Sequence, residues 1–434
     1  MTQQLKASRL KIAIAGLGVV GGGVYKILTK NIALLNKRAK SDLELVAVSS
    51  RTVKDFVNQS QIKFYNNTLD LADDKDIDII VELIGGSEGT AYELAKKALK
   101  NKKHFVTANK ALIAVHGLEL AKLAEENNVA LCFEAAVAGS IPILKSLKEG
   151  LIANNIDQIY GILNGTCNYI LTKMQTNGLN FAEVLKEAQQ LGYAEADPTF
   201  DIEAIDSAHK LAILAAIAKN CRIDFNALYI EGITKITIDD IKFAEELGYK
   251  IKLLGIFKDL NNGFIEQNVY PALIKYSEKI AVVDDSYNAV LTHGDNCDWN
   301  LQIGRGAGAL PTASAVVADI LDIAGGNYGL PFGCKVSDLI KVKTSEISQR
   351  TGGYYLRFKA DKQFAKESNF ITEVFGNSEI IEQSIIKEAD DNNLIYALKT
   401  KDLIEKEFNS YLEKLEKINQ INDIHRIRIE KTGL

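Results

Sequence analysis

Through the first third of the chain, short apolar runs alternate with stretches of helical spacing. Leu10 to Ala15 (LKIAIA), Leu43 to Val48 (LELVAV), Ile77 to Ile84 (IDIIVELI), Phe105 to Thr107 and Val129 to Phe133 are short apolar runs containing β-branched residues, so each is predicted to be a strand. Between them the spacing predicts helices through Val24, Ile27 and Leu28, near Thr90 to Leu99, and near Leu118 to Glu126. Alternation of this kind implies parallel strands joined by crossover helices. After Pro142 the pattern is less regular. Ile156 to Leu163 reads as a strand, and helices follow near Tyr169 to Gln175 and from Phe181 to Leu191, the second stopped by Gly192. Lys250 to Phe257 and Phe264 to Tyr270 flank Asn261-Asn262-Gly263 as a hairpin, and Val290 to Thr292 with Trp299 to Ile303 form a second. An antiparallel or mixed sheet backed by helices is therefore expected over residues 142 to about 305. From Gly352 onward YYLRFKA, a helix near Asn369 to Phe375, SEIIEQSIIKE, NLIYALK, a charged helix from Leu403 to Lys417 and IHRIRIE spell β-α-β-β-α-β, a ferredoxin-like unit.

Composition narrows the possible partners. A chain of 434 residues implies two or three domains, and 47% apolar with 25% charged residues is ordinary for a globular protein. A net charge of -5 leaves no basic excess for nucleic acid, so a small molecule is the expected partner. The first residues, MTQQLKASRLKIAIAGLG, lack a signal-peptide pattern, and no stretch approaches eighteen uninterrupted apolar residues; no membrane partner and a cytoplasmic location are expected. Five scattered cysteines without a C-x-x-C pair indicate neither a disulfide framework nor a zinc site.

The first strand runs directly into Gly16-Leu17-Gly18-Val19-Val20-Gly21 and then a helix, the context that a dinucleotide fingerprint requires. Gly16, Gly18 and Gly21 let the backbone turn and approach a pyrophosphate, with Val19 and Val20 at the helix start. The second strand continues as Ser49-Ser50-Arg51-Thr52, where an NAD site usually carries an acid. Arg51 suits a 2'-phosphate, so NADP is expected over NAD; the alternative is a solvated loop arginine. Lys110 follows the Phe105 strand on the side where such sheets bind ligands, though a lysine also commonly starts a helix. Glu134 to Pro142 is a loop of small residues, able to converge carbonyls on a hard monovalent cation or simply to turn tightly. Gly304-Arg305-Gly306-Ala307-Gly308 precedes another helix and would either return an anion site, including Gly308, to the cofactor or link two domains.

The densest chemistry lies in EADPTFDIEAIDSAHK, residues 195 to 210. Asp201 is a candidate N-cap, after which Glu203, Asp206 and Lys210 would share one helical face, with Glu195 in the preceding loop. Such a face is either a solvated ion-paired surface or a site. His209 lies about 100° from Lys210 around a helix and is read as structural. Cys167 could be a thiol nucleophile with His209 as base, giving an acylating aldehyde dehydrogenase, or merely a buried thiol.

GLGVVGG at 16 to 22, TANK at 107 to 110, FEAAVAGSIPI at 133 to 143, NGTCNYIL at 164 to 171, LGYAEADPTFDIEAIDSAHK at 191 to 210 and GRGAGALPTASAVVADI at 304 to 320 together resemble homoserine dehydrogenase. The resemblance implies NADP- or NAD-dependent interconversion of L-homoserine and L-aspartate 4-semialdehyde. It also implies Lys210 as proton donor and acceptor, Glu195, Asp201 and Asp206 on the substrate, and Lys110 between cofactor and substrate. It makes Glu134, Val137, Gly139 and Ile141 a sodium loop, the last three through main-chain carbonyls, and implies a homodimer or homotetramer. The expected architecture is α/β. It comprises a Rossmann-type dinucleotide-binding domain over 1–141, to which 305–340 returns, and an α+β catalytic and dimerisation domain over 142–304. An ACT-like regulatory or assembly domain follows over 350–434. The last resembles domains that bind an amino-acid effector, but Asp361-Lys362-Gln363-Phe364 stands where a D-x-P-G-type turn is usual. A non-catalytic amino-acid sensor on a decayed dehydrogenase would lack the intact acids, Lys210 and glycines seen here.

Overall fold

The computed structural model describes residues 9–39, 41–376 and 380–433. The chain forms two compact units, each built from separated stretches: Met1–Ile159, Ala208–Ala227 and Asn288–Val342 in the first, Tyr160–Ser207, Leu228–Tyr287 and Lys343–Leu434 in the second.

The chain opens with β1 (Arg9–Ala15), α1 (Val19–Lys30), α2 (Ile32–Arg38), β2 (Asp42–Ser49), β3 (Lys63–Tyr65) and β4 (Ile79–Glu82). It continues through α3 (Thr90–Lys100), β5 (His104–Thr107), α4 (Lys110–Asn127) and β6 (Leu131–Cys132). All strand pairings here are parallel, in the order β3-β2-β1-β4-β5-β6, the doubly wound order of dinucleotide-binding sheets. Two elements escaped the periodicity, β3 and α2, because three- and seven-residue pieces are too short to display one. The helix predicted from Leu118 begins eight residues earlier, at Lys110. Gly117 in its middle obscures the pattern; a Cβ there would press on the Phe332 ring at 3.1 Å.

Then come α5 (Ile143–Lys145), β7 (Ile156–Ile162), α6 (Gly165–Asn177), α7 (Phe181–Gln190), α8 (Thr199–Ile202), α9 (Ile205–Lys219), β8 (Tyr229–Ile230), α10 (Ile238–Glu246), β9 (Tyr249–Asp259) and β10 (Phe264–Lys275). They are followed by β11 (Tyr287–Gly294), β12 (Asp298–Arg305), α11 (Ala309–Gly325), β13 (Lys343–Thr344) and β14 (Thr351–Gly352). In the first unit α11 packs against α1 so closely that a Cβ on Gly23 would lie 2.6 Å from the Ala309 carbonyl. Val24 and Leu28 of α1, Ala313, Val316 and Ile320 of α11, and Ile12, Ile14 and Val81 of the sheet share one core.

The C-terminal elements are β15 (Tyr354–Asp361), α12 (Lys362–Glu367), α13 (Phe370–Phe375), β16 (Ile381–Glu388), β17 (Asn393–Thr400), β18 (Leu403–Ile404), α14 (Glu405–Glu416) and β19 (Ile421–Glu430). Ser378 and Glu379, at the start of the predicted SEIIEQSIIKE strand, lie outside the described residues. Their order in the sheet, β19-β15-β17-β16, is the ferredoxin-like one, and these strands do not stand alone. β19 runs parallel to β10, with Ala272 opposite Arg428, and β10 is antiparallel to β9 along its length, so the second unit has one mixed sheet.

Buried charges lock this sheet to α10. Asp240, fully buried, accepts from Arg357 Nε at 2.7 Å, Tyr355 Oη at 3.2 Å and His425 Nδ1 at 2.9 Å, while capping its own helix through Thr237. Burial alone would raise its pKa, but the His425 and Arg357 partners outweigh it and hold the carboxyl well below the usual range. Arg350 donates to Glu430 at 2.6 Å and Arg428 pairs with Glu405 in the same way, each pair buried. Among the described residues no helix is long and apolar enough to cross a membrane.

Removing one member of such a network leaves the others uncompensated. Asp240→Asn is expected to destabilise the protein by about 3–5 kcal/mol in urea unfolding at pH 7. Because the folded pKa is depressed, the wild-type advantage is present above the unfolded value and shrinks as pH falls below about 4.

Candidate active site

The turn after β1 is shaped by the absence of side chains. Gly16 adopts φ +98° and donates its N–H to Ser49 O at 2.8 Å, and a Cβ there would lie 2.6 Å from Leu83 O. A Cβ on Gly21 would lie 1.9 Å from Gly16 O, so the helix can sit this close to the turn only with glycine. Gly18 caps α1 without any side-chain hydrogen bond, leaving the first amides, at Val19 and Val20, to face a ligand. This tight turn, with unpaired amides at the start of α1, fits a dinucleotide pyrophosphate.

Beside it lies a cleft of about 470 Å³ lined by Leu17, Gly18, Ser50, Arg51, Thr52, Lys54, Leu83 and Ile84. β2 ends at Ser49, whose hydroxyl is bonded to Thr68 Oγ1 at 2.8 Å, so no carboxylate stands at the usual ribose position. Lys54, a second cation in the cleft, was not singled out in the sequence; its three-residue spacing from Arg51 was the available signal.

At the carboxyl ends of β4 and β5, buried Glu82 accepts from Ile84 N, Gly85 N and Thr107 Oγ1. Thr107 Oγ1 in turn accepts from Asn109 N, and Asn109 caps α4 by accepting from Leu112 N at 3.1 Å. Lys110 is thus the first residue of α4, half-buried on the ligand side of the sheet. It is a helix-start lysine.

The loop at 134–141 is held from both sides. Glu134 Oε1 and Oε2 accept from Leu144 N at 2.9 Å and Lys145 N at 2.8 Å, and Glu134 N donates to Asp319 Oδ2. Burial, and then the Asp319 charge, push the Glu134 carboxyl up to about 7. Gly139 takes φ +54° against Gly306, where a Cβ would lie 2.5 Å from the carbonyl, and Ser140 N donates to Arg305 O. Val137 and Ile141 are buried in this loop. Gly308, with φ +118° and exposed, caps α11.

The acid-rich stretch folds differently from the predicted single helix. Asp201 is not an N-cap: Asp197 accepts the Thr199 amide at 3.1 Å to start α8, and Asp201 lies inside that short helix. Ala204, at φ +65°, separates α8 from α9, so Glu203 does not share a face with Asp206. The break has a tertiary cause. Ile202 O, which a continuous helix would offer to Asp206 N, accepts from Ile233 N at 2.9 Å, and a Cβ on Gly232 would lie 2.3 Å from that oxygen.

Asp206 and Lys210 remain one turn apart on α9, both buried, while Glu195 is exposed in the loop ahead, its carbonyl accepting from Gln189 Nε2. Asn164, missed as a site residue, donates from Nδ2 to Asp201 Oδ1 at 2.7 Å and to Asp206 Oδ2 at 2.9 Å. His209 stacks on Phe225 with ring centroids 4.3 Å apart, as a structural histidine would. Cys167 is fully buried and its Sγ contacts Asp201 O at 3.2 Å. Among the described residues no group of three or more histidine, cysteine or acidic side chains could hold a metal ion.

A doubly wound sheet with a glycine-lined first turn defines the class: a dinucleotide-binding protein. Family models described as homoserine dehydrogenase, NAD binding domain, and as homoserine dehydrogenase match residues 16–134 and 142–321. The homoserine dehydrogenase of Pseudomonas aeruginosa is 41% identical, over 98% of this chain and 99% of its own length. That of Neisseria gonorrhoeae is 49% identical, over 73% of this chain and 72% of its own. The crystal structure of a homoserine dehydrogenase from Thiobacillus denitrificans superposes with a TM-score of 0.91 at 41% identity, covering 98% of this chain and 99% of that one. The chain belongs to the homoserine dehydrogenase family. It is an NAD(P)-dependent oxidoreductase that interconverts L-homoserine and L-aspartate 4-semialdehyde.

Gly21→Ala is expected to weaken binding of the reduced dinucleotide at least about tenfold, roughly 1.4 kcal/mol, while the far-ultraviolet circular dichroism is kept. Fluorescence titration of the nicotinamide checks this, and an unchanged affinity would contradict the turn's fit.

Proposed function

We propose that Lys210 exchanges the proton at the homoserine hydroxyl and that Glu195, Asp201 and Asp206 receive the substrate ammonium. The observation that carries this reading is the pairing of Asp201 with Asp206 through one amide, with Lys210 a single turn further along α9. The bound nicotinamide supplies or accepts the hydride. Reduction of the aldehyde leaves negative charge on its oxygen, and an ammonium beside that oxygen stabilises the charge and donates the proton. In the oxidative direction the same lysine takes the proton back. Lys110, at the start of α4, stands between cofactor and substrate in this proposal.

NADP is favoured over NAD because Arg51 and Lys54 line the cleft beside the glycine turn and no acid ends β2. A sodium ion at the 134–141 loop would rest on the main-chain carbonyls of Val137, Gly139 and Ile141, while the Glu134 carboxylate fixes the loop to α5. Gly308 would face the cofactor from the start of α11. A cytoplasmic enzyme assembled as a homodimer or homotetramer completes the proposal. For residues 350–434 an assembly role is favoured over effector binding. Asp361 caps α12 directly, accepting from Phe364 N at 2.8 Å, so a helix begins where an effector turn would lie.

The thiol reading is disfavoured by the burial of Cys167 and by the stacking of His209 away from such a role. Lys210→Ala is expected to lower homoserine-dependent NADP reduction by at least about 10²-fold with cofactor affinity retained, while Cys167→Ala keeps most activity. The reverse ranking would establish the acylating alternative. Arg51→Ala is expected to raise the KM for NADP about tenfold or more and leave that for NAD near its wild-type value. Equal changes in both would remove the 2'-phosphate role.

A further inference from the structure

We infer that Asn164 is a positioning residue for homoserine, using its side-chain amide to hold the two acids Asp201 and Asp206 together as one receptor for the substrate ammonium. The inference rests on the proposed role of those acids. Asn164 is the N-cap of α6, and its Oδ1 accepts the Cys167 amide at 2.8 Å. That bond fixes which way the amide points, because an acceptor must face the helix and the NH2 is then turned outward. Nδ2 has two hydrogens, and two carboxylates take one each, at 2.7 Å from Asp201 and 2.9 Å from Asp206. Asn164 and Asp206 are 5% and 4% exposed and Asp201 is half-buried, so the amide and the Asp206 carboxylate meet away from bulk water.

Two carboxylates drawn onto one nitrogen repel each other, and the two N–H donors offset that repulsion. They also come from separate helices, because α8 and α9 are broken at Ala204 and backbone alone does not fix their spacing. The amide supplies that spacing without adding charge, so it does not cancel the acids' attraction for an incoming ammonium. A lysine in its place would neutralise the receptor, and a third acid would overload it. Asparagine alone among the good cap residues offers an acceptor to the helix and two donors to the acids.

The test uses two substitutions that both keep a cap acceptor, Asn164→Ser and Asn164→Asp. Steady-state kinetics with homoserine and NADP, with thermal melts alongside, give the readout. For Asn164→Ser the KM for homoserine is expected to rise about tenfold or more, with the KM for NADP unchanged and the melting temperature close to wild type. Asn164→Asp, closer in shape, is expected to be the worse of the two, because it places a third carboxylate against the pair. A residue that acted only as a helix cap would give the opposite ranking or no change in homoserine KM, and either result overturns the inference. If one substitution prevents folding, the other still decides through its homoserine and NADP constants. A wild-type chain with no homoserine-dependent NADP reduction overturns the functional reading, and this inference with it; an active wild type with unaltered variants overturns the inference alone.

Discussion

The break in the backbone at Ala204 is the constraint on which the proposed substrate site depends. Ile202 gives its carbonyl to Ile233 rather than to the next helical turn, and the glycine at 232 is what allows that close approach. A straight helix would spread Glu203, Asp206 and Lys210 along one face at spacings of three and four. Ending α8 after Ile202 and restarting at Ile205 sets Asp201 against Asp206 instead, with one amide between them. The cost of holding a non-glycine residue at positive φ is of order 1–3 kcal/mol. That expense is understandable where a zwitterion must be gripped by one end and have its hydroxyl presented at the other.

The cofactor platform follows a different logic, one of removal. At Gly16, Gly21 and Gly23 the side chain is absent because backbone from Leu83, Gly16 or Ala309 occupies its place. Rigidity there comes from close packing, whereas in the second unit it comes from buried charge. Asp240, Glu430 and Glu405 each pair with an arginine: Arg357 ties β15 to α10, Arg350 bridges Glu430 of β19 and Tyr270 of β10, and Arg428 ties β19 to α14. Such pairs are weak evidence for net stability but strong determinants of register, since a slip would strand a charge. The C-terminal strands are therefore part of the second unit's sheet rather than an appended module.

What the sequence disclosed was short in range. Gly16 to Gly21, the strand before it and the helix after it are contiguous, and the glycine spacing carries its own steric reason. The alternating strands and helices of the first sheet were legible because each spans enough residues to show a period, and β3 was missed because it does not. The hidden features all pair distant residues. Nothing near Ala204 announces the break, because its cause sits at Gly232 and Ile233. Nothing in NGTCN announces that Asn164 meets acids 37 and 42 positions later. The parallel pairing of β19 with β10 is equally non-local. The position of Lys54 in the nucleotide cleft depends on how the loop after β2 folds back. Asp206 and Lys210, by contrast, were visible because a single helical turn relates them.

A crystal structure of the chain with NADP and homoserine bound tests the central claim most directly. The homoserine ammonium is expected within hydrogen-bond distance of the Asp201 and Asp206 carboxylates, with Asn164 still between them, and the hydroxyl on Lys210 Nζ. An ammonium bound away from both acids, or a substrate carbon joined to Cys167 Sγ, would contradict it.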